Sequence, residues 1–417
     1  MLITFKNSVS ANRRFDVCPV RGLLFKLTRM VTGTIFFLCA GVFAQADAGT
    51  HSLFMAQAAE IAASLDDSTL AAQVLLTGID GKAALSPDMK ALLGRIPAGG
   101  IMLFKYNLDT PKDDVKALLS EAASLVAGKA GIPPFMAVDH EGGLVHRFGP
   151  GITKLPSAFS FWELAQKEGT AAALARAEME YSLSAGEIRG LGITLVLGPV
   201  AEKLDNDNRL FLDTRSYGSD PDFTRDAALA FIKSMDSAGI ACAVKHFPGN
   251  TAADPHSGAT TLKADKAALD DMVKPFAEII RSFPPAAVMV SHVKVPAVDN
   301  KTIASLSPLV IRGWLRGELG FEGIVLADDF IMAAVSAQGI DPAAAAVEAL
   351  NAGVDMIMTW PRNISAVHAA VLQALGDCRL TRSRLREAAC RIIAAKIQYG
   401  LLHDDLLHEG VAPNDRP

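Results

Sequence analysis

The sequence predicts an α/β protein built as a single (β/α)8 barrel of the TIM type. Eight short apolar runs alternate with segments whose apolar residues recur at helical spacing, and this alternation is typical of parallel strands joined by helices. The chain has 417 residues, half of them hydrophobic, which is enough for one barrel of this kind. A doubly wound open sheet is the rival fold, but no glycine-rich phosphate turn follows the first run.

The eight runs are predicted strands because each is short, nearly continuous and bounded by turn residues. In chain order they are AAQVLLTGID, GGIMLFKYN, PPFMAVDHEGG, GITLVLGPVAE, GIACAVKHFPG, PAAVMVSHVKVP, FEGIVLADDF and AGVDMIMTWPRN. Stretches such as KDDVKALLSEAASLVAG and ARAEMEYSLSAGEIRGLG predict amphipathic helices between them. We predict that the barrel covers residues 65–401, after an N-terminal segment at 47–64 and before a C-terminal tail at 402–417.

Residues 1–46 have the features of an export signal and N-terminal extension. Three basic residues, Arg21, Lys26 and Arg29, precede an apolar run of roughly 12–16 residues, which is shorter than the roughly 20 that span a bilayer. The run ends in a small-x-small pattern, so we predict cleavage near Ala46 or Ala48 and an exported protein, periplasmic or secreted, with no stable membrane anchor. An uncleaved signal-anchor helix is the alternative.

Composition and charge exclude several classes of partner. The formal net charge is −5, and removing residues 1–46 would take away six Lys and Arg residues and one Asp and leave −10. A basic face for nucleic acid is therefore not expected. The cysteines outside this leader have no metal-ligand spacing, and we predict neither a metal ion nor a cofactor. Composition does not predict the oligomeric state.

Polar residues recur at the C-terminal edge of nearly every predicted strand. In a parallel barrel these edges meet on one face, which is where active sites are built. A single such residue could cap a helix, but a whole ring of them predicts a site for a polar, hydroxyl-rich ligand. The members of the ring are Asp80, Lys105, Asn107, Asp139, Glu141, Glu202, Lys245, His246, His292, Asp328, Asp329 and Trp360.

Two adjacent carboxylates, Asp328 and Asp329, end the seventh run. Carboxylates at a barrel mouth can act as nucleophile, general base or metal ligands. Neighbouring side chains of a strand point to opposite faces, so we expect only one of the two to face the barrel axis. Capping of the next helix is the alternative role for both.

The stretch VKHFPGNTAADPHSGATT, residues 244–261, concentrates reactive side chains. Lys245 and His246 end the fifth strand, and Asp254 and His256 lie further along, on the loop. An aspartate near a histidine can orient the imidazole and stabilise its protonated form, which suits a general acid or base near neutral pH. Asp254, His256 and His246 could instead bind a metal, although their spacing is unfamiliar, and an isolated Asp-x-His is often surface decoration.

Seven motifs between Leu65 and Leu401 occur in a fixed order. They are VDHEGGLVHRF, LGPVAE, DTRSYGSDP, KHFPG, VSHVKVPAVD, ASLSPLVIRGWLRGELGFEGIVLADDF and ALNAGVDMIM. Together they resemble glycoside hydrolase family 3, and most of all its single-domain bacterial β-N-acetylhexosaminidases. The resemblance implies a barrel enzyme that removes non-reducing terminal sugars with retention of configuration, through a covalent glycosyl-enzyme.

The resemblance also implies roles for particular residues. Matching LADDF to the family motif makes Asp328 the nucleophile, and the acid/base histidine and its aspartate fall on His256 and Asp254. The implied sugar-binding residues are Asp139, Arg147, Arg215, Lys245 and His246. Carboxylates can accept hydrogen bonds from sugar hydroxyls, and Arg and Lys can donate to hydroxyl or acetamide oxygens. Ion pairing within the protein is the alternative role for Arg147 and Arg215.

The loop after KHFPG departs from the family pattern. The family typically reads KHFPGHG and then D-S-H, whereas here Asn250 and Thr251 follow KHFPG and the gap to Asp254 is about two residues shorter. Pro255 fixes one φ angle and constrains the residue before it, so we expect the loop to swing less freely than its relatives.

The predicted function is therefore a retaining exo-glycosidase. Its substrate would be a carbohydrate with a terminal β-linked N-acetylglucosamine, in chitin-type or peptidoglycan-derived oligosaccharides. A β-glucosidase or a glycoside phosphorylase on the same fold is the main alternative. A non-catalytic sugar-binding protein is suggested by the altered loop, but it would be expected to lack the nucleophile or the acid/base pair, and the sequence has both.

Overall fold

The structure is a computed structural model that describes residues 49–253, 258, 260–330 and 332–402. The chain divides into two compact units, Met1–Leu53 and Phe54–Pro417. Residues 49–53 of the first unit are helical, and the elements below belong to the second. The export signal and its cleavage sites at Ala46 and Ala48 lie outside the described residues, so they stay predictions, as do the domain boundaries. Within the described residues, no helix is both long and apolar enough to cross a membrane.

Within the described residues, eight parallel strands close into a barrel, which confirms the predicted fold class. The strands lie side by side in chain order, and the last pairs with the first, with Leu75 opposite Ile357. All their residues except Met358 are buried, which explains why the sequence shows continuous apolar runs rather than alternation. Each lies in one of the eight predicted runs: β1 (Leu75–Gly78), β2 (Gly100–Leu103), β3 (Phe135–Val138), β4 (Leu195–Val196), β5 (Ala241–Phe247), β7 (Ala287–Val290), β10 (Ile324–Ala327) and β11 (Met356–Thr359).

Helices surround the barrel, and several begin at a side chain that accepts a hydrogen bond from the first turn, as Ser86, Asp265 and Thr381 do. The two helices predicted above correspond to α5 and α7. The described α-helices are α1 (54–64), α2 (Asp67–Gln73), α3 (Pro87–Arg95), α4 (Lys105–Leu108), α5 (Lys112–Ala130), α6 (Ala158–Glu168), α7 (Thr170–Arg189), α8 (Arg209–Leu212), α9 (Pro221–Ser237), α10 (Lys266–Ser282), α11 (Ala333–Ser336), α12 (Pro342–Ala352), α13 (Pro361–Gly376) and α14 (Arg382–Gln398). Two short 3-10 turns, Asp213–Arg215 and Ala304–Leu306, and a π-helix, Leu309–Glu318, complete the set.

A small three-stranded sheet stands beside the barrel mouth. Its strands are β6 (Thr260–Thr261), β8 (Val293–Val295) and β9 (Asp299–Ile303). Strand β6 runs parallel to β8, and the Leu262 N–H donates to Lys294 O at 2.9 Å. The loop that leaves β5 therefore begins in the barrel and returns in this sheet.

A buried ion cluster lies at the opposite, N-terminal end of the barrel. Asp355, fully buried just before β11, accepts from Arg316 Nη2 at 2.6 Å and from the Val325 N–H at 3.0 Å. Its other oxygen accepts from Arg384 Nη2 at 2.9 Å and Arg391 Nη1 at 3.2 Å. Because both of these arginines belong to α14, the cluster holds that helix against the amino ends of β10 and β11.

Candidate active site

The polar residues predicted at the strand ends divide into two groups. Asp80 accepts from the Ser86 N–H at 3.1 Å, next to the start of α3. Asn107 donates to Gly81 O at 2.9 Å and accepts from the Phe104 N–H at 3.0 Å. Asn107 thus caps the short helix α4, and Asp80 holds Ser86, the N-cap residue of α3, so both have local structural roles. Most of the other predicted ring residues contact one another, so the site contains fewer residues than the sequence predicts.

Lys245 and Arg215 meet two carboxylates in a buried cluster. Lys245 Nζ lies 2.7 Å from both Asp139 Oδ1 and Glu141 Oε1. Arg215 donates to Glu141 twice, through Nε at 2.8 Å and Nη2 at 2.9 Å. Burial alone would raise the pKa of Glu141, but the charges and hydrogen bonds of Arg215 and Lys245 hold it well below its usual value. Burial likewise opposes the charge of Lys245, yet Asp139 and Glu141 raise its pKa.

This cluster separates the predicted sugar-binding residues into two kinds. Arg215 and Lys245 form short ion pairs with these carboxylates and have side chains 18% and 3% exposed, and their role in sugar binding stays a prediction. The side chains of Asp139 and Arg147 are 22% and 32% exposed, and Arg147 Nη2 lies 3.7 Å from Asp139 Oδ2. Arg147 Nε has no hydrogen-bond partner among the described residues. Asp139 and Arg147 can therefore offer an acceptor and a donor to a ligand, while Lys245 holds Asp139 in place.

Two glycines turn the chain back after Glu141. Gly142 and Gly143 have φ angles of 95° and 54°, and glycine adopts such angles without steric cost. A Cβ on Gly142 would lie 2.2 Å from Pro156 O, and one on Gly143 would lie 2.7 Å from Ser157 Cβ. The EGG sequence is thus required by the backbone that carries Glu141 into the cluster.

A second buried carboxylate, Glu202, follows β4 and holds His246. Glu202 Oε1 lies 2.7 Å from His246 Nδ1 and accepts from the His246 N–H at 3.3 Å and from Asn250 Nδ2 at 3.0 Å. The pairing of β5 with β7 shifts between Val244 and Phe247. This irregularity lets consecutive side chains, Lys245 and His246, both reach site residues. Since Nδ1 of His246 faces Glu202, its Nε2 is the ring nitrogen left for a ligand.

The two carboxylates after β10 have different surroundings, as the alternation of side chains along a strand predicts. Asp328 Oδ1 accepts from the Asp329 N–H at 2.8 Å. Asp329 Oδ2 instead accepts from the Trp360 indole N–H at 2.6 Å. Burial alone would raise the pKa of Asp328, but His246, His292, the Asp329 N–H and Lys245 together lower it. Asp328 is therefore an ionised carboxylate at neutral pH.

His292 contacts the backbone that joins these two aspartates. Its Nε2 lies 3.0 Å from Asp329 O, and because a carbonyl oxygen only accepts, Nε2 carries the hydrogen. Its Nδ1 lies 2.7 Å from the hydroxyl oxygen of Ser305. Burial lowers the pKa of His292 despite the nearby carboxylates of Asp328 and Asp329. His292 thus fixes the backbone that joins the two aspartates.

An aromatic wall borders the site and opens into a cavity. The ring of Phe104 stacks on Trp360 with centroids 4.7 Å apart and planes 16° apart, and on Tyr106 at 6.1 Å. The cavity beside this wall has a volume of about 630 Å³. Its lining residues are Lys82, Phe104, Lys105, Tyr106, Asp109 and Arg147. The cavity is continuous with the site because it shares Arg147 and Phe104 with it, and three of its six lining residues are cationic.

The predicted acid/base pair, Asp254 and His256, lies outside the described residues. The chain leading to it is described: Gly249 O accepts from the Ser291 hydroxyl at 3.0 Å, and the Ala253 N–H donates to Thr251 Oγ1 at 3.2 Å. No group of three His, Cys, Asp or Glu side chains able to hold a metal ion occurs in the part of the chain that the structure describes.

The described residues form a closed parallel barrel with carboxylate, lysine and arginine side chains at the carboxyl ends of its strands, which is the class of barrel protein whose mouth suits a polar ligand. The family model for the glycosyl hydrolase family 3 N-terminal domain matches residues 69–395. The chain belongs to this family, which confirms the resemblance seen in its motifs.

Three relatives show how far the similarity extends. A beta-hexosaminidase from Methylococcus capsulatus is 35% identical over 76% of this chain and 91% of its own length. Beta-hexosaminidase A from Pseudoalteromonas piscicida is 30% identical over 66% of this chain and 48% of its own length. The solved structure of a glycoside hydrolase family 3 beta-N-acetylglucosaminidase from Paenibacillus sp. matches with a TM-score of 0.74 at 30% identity, over 81% of this chain and 63% of that one. The chain thus spans about half of the second relative and less than two thirds of the solved one.

The sequence did not indicate a role for Glu141, Glu202 or His292. All three were members of the predicted ring, so their position was found while their partners were not. For Glu141 a signal was present, since a carboxylate followed by two glycines indicates a backbone built around it.

Proposed function

We propose that this chain is an exo-acting β-N-acetylhexosaminidase that releases terminal β-linked N-acetylglucosamine with retention of configuration. The observation that carries the proposal is Asp328, an ionised carboxylate at the barrel mouth with a lowered pKa. It lies in the same site as Asp139 and Arg147, which offer an acceptor and a donor for sugar hydroxyls. The names of the relatives, two beta-hexosaminidases and a beta-N-acetylglucosaminidase, support the choice of sugar.

The reaction proceeds in two steps. First, an Asp328 oxygen bonds to the anomeric carbon while the glycosidic bond breaks, and the leaving oxygen takes a proton from His256. Second, His256 takes a proton from water, the water oxygen bonds to the anomeric carbon, and Asp328 departs as a carboxylate. Asp254 orients His256 and stabilises its protonated form. The roles of His256 and Asp254 rest on the family resemblance, because both lie outside the described residues.

Different side chains of the site contact the hydroxyl groups and the apolar face of the sugar. Asp139 and Arg147 face its hydroxyl groups, and Nε2 of His246 adds a third polar contact. The Trp360 ring is fixed by its bond to Asp329 and by stacking on Phe104, so it presents a rigid apolar surface to a sugar face.

The cationic cavity favours peptidoglycan-derived fragments over neutral chitin-type oligomers. In an exo-acting enzyme only the leaving part of the substrate extends beyond the terminal sugar. Lys82, Lys105 and Arg147 line the cavity against a single carboxylate, Asp109. A carboxylate carried by the leaving part is attracted to this surplus of positive charge. Such acidic groups occur on wall sugars and their peptides, and are absent from chitin.

A panel of chromogenic glycosides tests the activity. We expect nitrophenol release from the nitrophenyl β-N-acetylglucosaminide, much slower release from the glucoside, and no stimulation by phosphate. NMR of the first product should show the β-anomer. Preference for the glucoside, or a sugar phosphate as product, would establish one of the alternative enzymes instead. Binding of N-acetylglucosamine without turnover of any glycoside would indicate the non-catalytic alternative.

Lysine substitutions test the cavity. The double substitution Lys82→Met and Lys105→Met is expected to lower kcat/KM about fivefold for a disaccharide with a carboxylate on its leaving sugar, because each exposed charge contributes roughly 0.2–1 kcal/mol. In this double variant, kcat/KM should be unchanged for the methyl ester of that disaccharide and for the nitrophenyl substrate. The matched surface variant Lys116→Met should have unchanged kcat/KM for all of these substrates. Equal losses on charged and neutral substrates would contradict the cavity's role.

Export also belongs to this proposal, since wall fragments are met outside the cell membrane. The supporting observation is the basic, apolar and small-residue pattern that ends near Ala46 and Ala48. The intact mass of the protein recovered from the producing cell gives the site of cleavage, and a full-length mass would reject it.

A further inference from the structure

Glu202 connects three parts of the site through one side chain and its backbone. Its Oε1 holds the ring of His246 at the end of β5 and the amide of Asn250 at the start of the following loop. Its backbone carbonyl accepts from the Ser216 hydroxyl at 2.7 Å, next to Arg215. The Ala201 N–H, one residue earlier, donates to Lys245 O at 2.8 Å. Glu202 is itself only 2% exposed, so these contacts are shielded from water.

We propose that Glu202 is a positioning residue that sets the hydrogen on His246 and anchors the loop that carries the acid/base pair. A carboxylate oxygen can only accept, so the 2.7 Å contact places the hydrogen of His246 on Nδ1. Nε2 is then the nitrogen presented to the sugar, a step that rests on the proposed function. The contact with Asn250 fixes the chain four residues before Asp254, where the sequence departs from the family's usual histidine.

The arrangement of donors shows why this position needs a hydrogen-bond acceptor. Three N–H groups converge on Glu202 Oε1, and two of them belong to His246. Removing the acceptor leaves these buried donors unpaired, which is unfavourable for each of them. The negative charge of Glu202 also favours the cation of Arg215, because it raises the pKa of that guanidinium alongside Glu141. One residue therefore acts on both the histidine and the arginine of the site.

Two substitutions of Glu202 separate positioning from packing. Glu202→Leu keeps most of the volume but removes the acceptor, whereas Glu202→Gln keeps an amide oxygen able to accept from Nδ1–H. In ¹⁵N-histidine NMR, His246 of the wild type should show a protonated Nδ1. Its signal is assigned as the one that is missing from the spectrum of His246→Gln. We expect this signature to persist in Glu202→Gln and to be lost in Glu202→Leu. The Leu variant should lose about 10–100-fold in kcat/KM, and the Gln variant should recover most of that loss.

The matched control is Glu180, another buried carboxylate, which pairs with Arg176 on α7. Glu180→Leu should change neither kcat/KM nor the His246 signature. If Glu202→Leu does not fold, a double-mutant cycle with Glu202→Ala decides, because alanine also removes the acceptor: His246→Gln should cost less in the Glu202→Ala background than in the wild type, and Asn250→Ala should behave likewise.

Three outcomes would overturn the proposal: a hydrogen on Nε2 alone of wild-type His246, an unchanged signature in a folded Glu202→Leu variant, or multiplicative effects in both cycles. Failure of the proposed function gives a different result. The wild type would then turn over no glycoside while His246 still showed a Glu202-dependent hydrogen on Nδ1.

Discussion

Replacing Asp328 with asparagine is expected to lower turnover of the nitrophenyl N-acetylglucosaminide by about 10⁴-fold or more. Asparagine matches the shape of the side chain but has no anionic oxygen to bond to the anomeric carbon. The neighbours of Asp328, including His246 and Lys245, lower its pKa and so keep it ionised. A variant that retains more than a few per cent of the activity would show that the nucleophile lies elsewhere.

The adjacent carboxylate supplies the control. Asp329 is occupied by the Trp360 indole, and asparagine can still accept that hydrogen bond, so Asp329→Asn should lose far less activity than Asp328→Asn. A 2-fluoro sugar that accumulates the covalent intermediate provides an independent readout. Its mass should be found on the peptide that contains Asp328 in the wild type and should be missing from the Asp328→Asn variant.

We expect the free energy of unfolding to depend on pH in part through Lys396. This lysine of α14 is fully buried, with Gln73 Oε1 at 2.9 Å and the Phe135 ring beneath it. Burial lowers its pKa from 10.5 to about 7. Between these two values the unfolded chain binds more protons than the folded one, so the lysine's contribution to the free energy of unfolding rises with pH. The full effect is about 5 kcal/mol.

Comparison with Lys396→Met isolates this effect. Buried Cys242 and Tyr217 have raised pKa values, so they act in the opposite direction at high pH, but they are common to both proteins. In urea unfolding, Lys396→Met should be more stable than the wild type at pH 6 by several kcal/mol. The difference should shrink or reverse by pH 9, where the neutral amine keeps its hydrogen bond to Gln73. A difference that does not change with pH would show that Lys396 titrates normally.

The barrel could be predicted because its signal is local. Strands buried on both faces read as short continuous apolar runs, and all eight runs contained one. The polar strand ends were equally visible, since parallel strands bring those ends to one face. The local pattern did not predict the contacts of Asp80 and Asn107, which bond within their own loops. Whether a strand-end residue turns inward or braces its own loop depends on the path of that loop, which no short pattern specifies.

The pairing of site residues could not be predicted from the sequence. Glu141 and Arg215 are separated by 74 residues, and Glu202 and His246 by 44. Partners at such distances are chosen by side-chain directions across neighbouring strands. The pairing shift in β5 changes those directions, because it brings both Lys245 and His246 into contact with site residues. An alternating strand would have sent one of them away.

The two hydrogen bonds between Arg215 and Glu141 have a consequence for how the loops can change over evolutionary time. They join the chain after β3 to the chain after β4 close to the barrel, and Ser216 adds a bond to the backbone of Glu202. The outer parts of these loops are therefore not needed to hold Asp139 and Lys245 in position. Insertions and deletions at the loop tips can therefore change what the proposed glycosidase accepts beyond the terminal sugar without disturbing the groups proposed to bind that sugar.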